Sequence, residues 1–437
     1  MNRVHPESSP CGLFPNGSDH RTLAEWLRGA AGGSPTVSIP PRRVSPSFPD
    51  HTMPSADSRS ASVPVGPSSS NPIFVLIGGF LGAGKTTTVA RLARHYVDRG
   101  LKVAIVTNDQ TNDLVDTHSL QQQGYHVGEV AGACFCCNFN ELTSTVEKLT
   151  AEERPDVILA EPVGSCTDLV ATVLRPLVQV YQQPFDMRPY GVIIKPSHGL
   201  RILKGQEKSG FSPKAAYIFE KQIEEADFVV INRIDELKPE QVQELTRLLS
   251  DKFPGRPILR MSARTGEGFD AYIDFLQQTG EFGRRVMELD YDVYAEGEAE
   301  LGWLNSNISV RSDQEVPLDD LLLSIVQRLK TSLAAEQAET AHLKAIGLWE
   351  GFYGVANLVS SFNDAELSLP SHARIKEAQV VVNARVAIDP ERLTELVRAA
   401  VAEASAALGV TAEFLSVQSF RPGRPVPTHR ITEPLAQ

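Results

Sequence analysis

The stretch IFVLIGGFLGAGKTT, residues 73–87, decides the reading of this chain. Its first residues, Ile73 to Ile77, are apolar without alternation, as in a strand covered on both faces of a parallel sheet. The run Gly79-Phe80-Leu81-Gly82-Ala83-Gly84-Lys85-Thr86 then satisfies G-x-x-x-x-G-K-[ST]. Glycine is needed there because successive backbone N–H groups turn inward toward phosphate oxygens, where a Cβ would obstruct them. Lys85 brings a charge to the β- and γ-phosphates and Thr86 a hydroxyl to Mg²⁺, with Gly79, Gly82, Ala83, Gly84 and Thr87 completing the nucleotide-binding set. A helix from Lys85 to Arg99, stopped at Gly100, directs its positive end at the same anion. The bland alternative is a glycine-rich turn without ligand, but the strand before and the helix after it favour the phosphate loop.

Outward from this element, strands are expected at 102–107, 156–160, 190–195, 227–232 and 257–261, with helical patterns between them. That alternation predicts an α/β fold, a P-loop NTPase with a mostly parallel sheet over residues 72–283. A junction falls near 281–290. Beyond it the pattern predicts strands around 291–311, a helix at 317–336, strands at 342–348, 352–360 and 373–388, a helix at 390–408 and a strand near 412–420. The order β-α-β-β-α-β predicts a smaller α+β, ferredoxin-like C-terminal domain at 290–437. Residues 1–71 are rich in Pro and Ser and are expected to be a disordered tail. A short amphipathic piece, Thr22 to Ala31, could dock on a partner, and Met53 is an alternative start.

With 437 residues and 42% hydrophobic content, the chain can bury two cores. A net charge of −12 argues against a nucleic-acid partner, which needs a basic surface. No apolar run approaches the roughly 20 residues that span a bilayer, and the N-terminus lacks the apolar core of a secretory signal. A cytoplasmic protein with no membrane partner is therefore expected. Five cysteines are too few for a disulfide framework.

Three further motifs carry chemistry. Asn232-Arg233-Ile234-Asp235 follows a strand and is close to N-K-x-D, whose aspartate accepts two hydrogen bonds from guanine, a donor pair adenine lacks. Ser262-Ala263-Arg264 follows thirty residues on and is close to S-A-K, whose backbone N–H groups meet the base carbonyl. In both, Arg stands where Lys is usual; either alone could be only a turn and a cap. Glu161-Pro162-Val163-Gly164 ends a strand in the position of D-x-x-G, so Glu161 would hold Mg²⁺ and Gly164 would offer its N–H to the γ-phosphate. The competing reading is a strand-ending carboxylate in a proline turn. Cys134, Cys136 and Cys137 place three thiols within four residues, able to share a metal such as Zn²⁺, or else serving as small buried side chains. Cys166 lies near this cluster or is an ordinary core cysteine, and the basic, proline-rich stretch from Ser419 to Arg430 is expected to be a solvated tail, the alternative being contact with a client or folding back over the nucleotide edge.

Together GGFLGAGKTT, the C-x-C-C cluster, E-x-x-G and the QIEEAD-x-VVIN-R-x-D run resemble the CobW-type GTPases, in one class with UreG and HypB. The resemblance covers about 72–280 and extends, less specifically, to 290–437. It implies a GTP-hydrolysing metallochaperone or cofactor-insertion factor that carries Zn²⁺, Co²⁺ or a corrinoid to a client metalloprotein or corrinoid protein. Catalysis would rest on Lys85, Thr86 and Glu161, and the cargo metal on Cys134, Cys136 and Cys137. Asn108-Asp109 matches the family's N-D pattern, but Gln110-Thr111-Asn112-Asp113 lacks the usual Phe-Gly. No catalytic arginine or glutamine is assignable, so slow turnover is expected, raised by a client or by a homodimer. A metal-free, nucleotide-gated assembly factor, a kinase and a non-hydrolysing scaffold are the alternatives.

Overall fold

The computed structural model describes residues 71–108, 120–121, 124–130, 134–181, 184–205, 212–278, 280, 282–349, 352–358, 361 and 364–433. The expectations for residues 1–70, for Asp109 and for the Gln110–Asp113 run fall outside them.

The chain from β1 (Ile73–Gly79) builds one parallel sheet from β2 (Val103–Asn108), β3 (His126–Val130), β4 (Val157–Glu161), β5 (Asp186–Met187), β6 (Gly191–Ile194), β7 (Phe228–Ile231) and β8 (Ile258–Arg260). The order is β3-β2-β4-β1-β6-β7-β8, with the short β5 also paired to β1, and every pairing is parallel. Parallel neighbours require crossovers, supplied here mainly by helices α1 (Lys85–Val97), α2 (Phe139–Glu152), α3 (Arg175–Gln179, continuing a π-helical turn Val170–Leu174), α4 (Pro196–Leu203), α5 (Pro213–Glu225), α6 (Pro239–Lys252) and α7 (Phe269–Leu276). Apolar clusters cover both faces: Val75, Ile77, Val89 and Leu92 in one, Phe74, Leu76, Leu142 and Ile218 in the other. Both sets alternate along β1, which explains its unbroken apolar run. Because β1 is central, its C-terminal end opens where the order reverses, the usual binding crevice of such sheets.

Residues Tyr291–Ala299 form a helix, α8, where sequence pattern led us to expect strand. The side chain of Asp290 accepts from the N–H groups of Asp292 and Val293 as an N-cap, and Gly297 lets α8 sit closely on the Lys214 carbonyl of α5. The expected pattern follows: β9 (Gly302–Pro317), α9 (Leu318–Ala335), β10 (Thr340–Trp349), β11 (Phe352–Leu358), β12 (Glu366–Leu369), β13 (Arg374–Val386), α10 (Pro390–Leu408) and β14 (Thr411–Phe420). These strands make a wholly antiparallel sheet in the order β12-β11-β10-β13-β9-β14. Strands β10, β13, β9 and β14, in that order, have the ferredoxin-like arrangement, and β11 and β12 extend the sheet beyond β10. One face, with Leu304, Ile308, Leu343, Val382 and Ala384, packs on α9 and α10. Strand alternation sends Asn305, Lys344, Asn383 and Arg385 to the other face. Among the described residues, no helix is long and apolar enough to cross a membrane.

Candidate functional site

The loop after β1 needs its glycines for stated reasons. Gly79, Gly82 and Gly84 have φ of 141°, 71° and 92°, and a Cβ on Gly84 would collide with the Asn232 amide. Lys85 is buried at the start of α1. The Thr86 hydroxyl donates to Glu161 Oε1 at 2.9 Å, so the P-loop threonine and the carboxylate ending β4 meet in space. Gly164 packs against Leu81 of the loop, where a Cβ would stand 2.7 Å from its side chain. Gly82, Ala83, Gly84, Lys85, Thr86, Thr87, Glu161 and Gly164 line a cavity of about 300 Å³, together with Asn232, Asp235, Ala263 and Arg264, while Gly79 and the buried Ser262 stand outside its lining. Lys85, Thr86, Thr87, Glu161 and Gly164 thus share one site with residues of the Asn232–Asp235 and Ser262–Arg264 elements.

Asn232 has a bracing part beside its place in the cavity wall. Its Nδ2 donates to Ala83 O at 2.8 Å and its Oδ1 accepts from Ala263 N at 2.9 Å. The amide ties the phosphate loop to the Ser262–Arg264 loop while also lining the cavity. Arg91, which the motifs did not flag, clamps that loop from α1 by donating to Ala263 O at 2.6 Å and Arg264 O at 2.7 Å. Burial alone would raise the Asp235 carboxyl, but hydrogen bonds with Ser262 and Arg264 hold it below the usual range. The two Lys-to-Arg departures also have visible work: Arg264 pairs with Asp235, and Arg233 bonds Glu236 at 2.6 Å and reaches Glu366 of β12 at 3.5 Å.

The cysteines lie on a turn closed by Cys137 N and Asn138 N donating to Cys134 O, just before α2. This bend brings all three sulfurs within 4.8 Å of one another; Sγ of Cys134 and Cys136 are 2.9 Å apart, and those of Cys136 and Cys137 3.8 Å. Cys166 joins the same hydrogen-bonded group. Hydrogen bonds from Cys136, Cys137 and Cys166 hold the Cys134 thiol well below its ordinary range; the same bonding to Cys134 pushes Cys136 and Cys166 well up, and Cys137 to about 11. One thiolate is therefore stabilised by its neighbours. With metal–sulfur bonds of about 2.3 Å, tetrahedral ligation sets sulfurs about 3.8 Å apart, so this group fits a soft or borderline cation after a small opening of the 134–136 pair.

Two links join the thiols to the nucleotide cavity. Asn108, at the end of β2, lines the cavity; its Nδ2 donates to Val130 O and its Oδ1 accepts from Phe135 N, both at 2.8 Å. The segment after Glu161 carries Cys166, and Gln222 of the QIEEAD run holds it by donating to Gly164 O at 3.0 Å and Cys166 O at 2.8 Å. Gln222 is buried, and only a long-range contact explains it. The C-terminal stretch is no solvated tail. Thr428 donates from its N–H to Cys136 O at 2.8 Å and from its hydroxyl to Cys137 O at 3.0 Å. Arg430 pairs with buried Asp168 at 2.6 Å, and His429 packs edge-on against Phe139. The tail straps the cysteine turn.

Residues 73–260 match the family model described as CobW/HypB/UreG, nucleotide-binding domain. Among characterised proteins, the chain is 32% identical over 175 residues to the zinc chaperone YeiR of Escherichia coli, covering 39% of this chain and 49% of that protein. It is 29% identical over 215 residues to urease accessory protein UreG 2 of a Bradyrhizobium species, covering 46% and 88% respectively. To the zinc chaperone CobW of Pseudomonas aeruginosa it is 27% identical over 210 residues, covering 41% and 53%. The chain thus spans about half the length of these two zinc chaperones.

Proposed function

We propose, from the premise that residues 73–260 belong to the CobW/HypB/UreG nucleotide-binding family, that this chain is a GTP-hydrolysing metallochaperone. It would comprise a GTPase domain at 72–283 and a C-terminal domain at 290–437, and would deliver a zinc- or cobalt-class ion to a client metalloprotein. The observation that carries this reading is Asn108, which lines the nucleotide cavity and holds the cysteine turn through Phe135 N–H. A change at the end of β2 on nucleotide exchange would move the turn that positions Cys134, Cys136 and Cys137. Metal and nucleotide would then bias one element, and each would alter the affinity of the other by the same factor.

For the nucleotide, Lys85 would meet the β- and γ-phosphates while Asp235 and the Ala263 loop meet the base. Guanine must displace or share the Arg264 guanidinium on Asp235. Thr86 and Glu161 fit Mg²⁺, which when bound neutralises charge developing on the phosphates. Hydrolysis is supported by Lys85, Thr86 and Glu161 as positioning and charge-stabilising groups. Titration of Zn²⁺ and Co²⁺ into protein loaded with GTP or GDP, beside a Cys134/136/137→Ser variant, tests the reading. A nucleotide-dependent affinity lost in the variant is expected. Equal binding by variant and wild type, or none by either, would leave the alternative of a metal-free assembly factor for a corrinoid or other metalloprotein.

A further inference from the structure

The nucleotide cavity has a second wall that no nucleotide motif contains. Opposite the P-loop it is lined by the polar face of the antiparallel sheet, including His342 and Lys344 of β10, Asn357 of β11, and Asn383 and Arg385 of β13. Register makes these residues two cross-strand rows. Lys344 lies between Asn357 and Asn383, and Arg385 between His342 and Trp303. Their neighbours in sequence, Leu343, Ala345, Ala356, Val382 and Ala384, are buried against α9 and α10. The helices therefore fix which way the polar row points.

This wall is cationic where it faces the cavity. It brings Lys344 and Arg385 against one carboxylate, Glu366, and that carboxylate already reaches Arg233. Arg385 is held rigidly: it is 3% exposed, its guanidinium lies 3.9 Å from the Trp303 ring centre, and its Nη1 donates to Leu304 O and Ala384 O. The sheet also has an orientation over the cavity. The Arg233–Glu366 contact anchors β12 at the base-reading end, while Trp303 of β9 belongs to the apolar core that holds Leu81 and Val163 beside the Glu161–Gly164 element. With strands about 4.8 Å apart, β10 and β13 lie about 10 and 14 Å from β12, along the line from base toward γ-phosphate.

We infer that Lys344 and Arg385 bind the phosphate chain of the nucleotide from the side opposite the P-loop, with Arg385 at the γ-phosphate end. The antiparallel sheet is then the second jaw of the site, and it distinguishes GTP from GDP through Arg385. This inference rests on the nucleotide reading given above. Phosphate recognition by a fixed guanidinium is directional as well as electrostatic, so Arg385 reads geometry and Lys344 mainly charge.

Calorimetric titration of the full chain with GTP, GDP and guanosine tests it, using wild type, Lys344→Gln, Lys344→Arg and Arg385→Gln. Lys344→Gln is expected to weaken GTP and GDP about tenfold while leaving guanosine unchanged, with Lys344→Arg restoring most of the loss. Arg385→Gln is expected to weaken GTP about tenfold more than GDP. Lys344 is only half-buried, so its variants keep the test meaningful if Arg385→Gln fails to fold. Wild-type affinities for GTP and GDP in folded Lys344→Gln would overturn the inference, and so would an equal loss for guanosine, which would place the cation on the base or ribose. A wild type that binds no GTP would instead sink the nucleotide reading itself.

Discussion

The nucleotide cavity and the cysteine pocket lie at the ends of neighbouring strands, yet they are built in opposite ways. The cavity is roomy and lined by charged and hydroxyl groups drawn from two sheets. The thiols of Cys134, Cys136 and Cys166 are buried in the apolar core and strapped by Thr428. A polyanion must enter and leave through water, and charge-assisted bonds hold it without burying it. Thiols bind metal most tightly as thiolates, and a dry, enclosed setting favours neutralising them with a cation. The difference teaches that, on the proposed function, nucleotide would exchange with the fold nearly intact, whereas cargo at the cysteines would require the turn or the strap to shift.

That contrast can be broken from either side. The largest effect is expected from Lys85→Ala: GTP affinity should fall by about 100-fold or more, while Zn²⁺ binding without nucleotide persists. Loss of both in a folded protein would mean that the two pockets are one site. Asp235→Asn should cost GTP on the order of 10- to 100-fold and ATP far less, and equal losses in competition titrations would contradict guanine selection. Asn108→Ala attacks the joint. It should reduce the GTP/GDP difference in metal affinity, expected at about tenfold, toward unity while each ligand still binds. If the difference survives, coupling runs through the Glu161–Cys166 segment instead.

Smaller effects sharpen the picture of enclosure. Truncation after Pro425 removes Thr428 and Arg430, and should speed thiol labelling several-fold, about a tenfold change at most, with GTP affinity unmoved. Labelling at the wild-type rate would show that the strap does not limit access. Glu298, bonded to the Ser165 hydroxyl beneath the cysteines, has its carboxyl pushed up to about 8, chiefly by burial. The folded state thus keeps a proton that the unfolded chain loses near its ordinary carboxylate range. Stability contributed by this group declines as pH rises from about 4.5 toward 8. Glu298→Gln should flatten that decline, by roughly 1–3 kcal/mol at pH 8 in denaturant titrations.

Much of this was legible in contiguous sequence. The strand, loop and helix over 73–97 depend on neighbours within a few residues, and so do the alternating strands of β9, β10 and β13. The strand His126–Val130 escaped notice because it is short and half-buried, and its identity comes from pairing with β2. The helix at 291–299 reads as strand in sequence because Tyr and Val there suit either state, and its Asp290 cap and its packing on α5 decide the matter. Motif reading gathered Lys85, Thr86, Glu161, Asp235 and Ala263 around one cavity. It also names Asn232, which lines the cavity, but not the bonds by which the same amide joins two loops.

What the chain's sequence determined by itself is therefore the local chemistry: a phosphate loop, two elements suited to guanine, and three thiols on one turn. Tertiary structure alone decided what stands opposite these groups. It laid Arg385 and Lys344 across the cavity from Lys85, bonded Arg233 to Glu366, and drew Thr428 over Cys136 from nearly three hundred residues away. The physical reason is that local patterns follow from backbone geometry and side-chain size over a few residues. Long-range juxtapositions follow from which faces bury together, a choice to which every residue of both cores contributes.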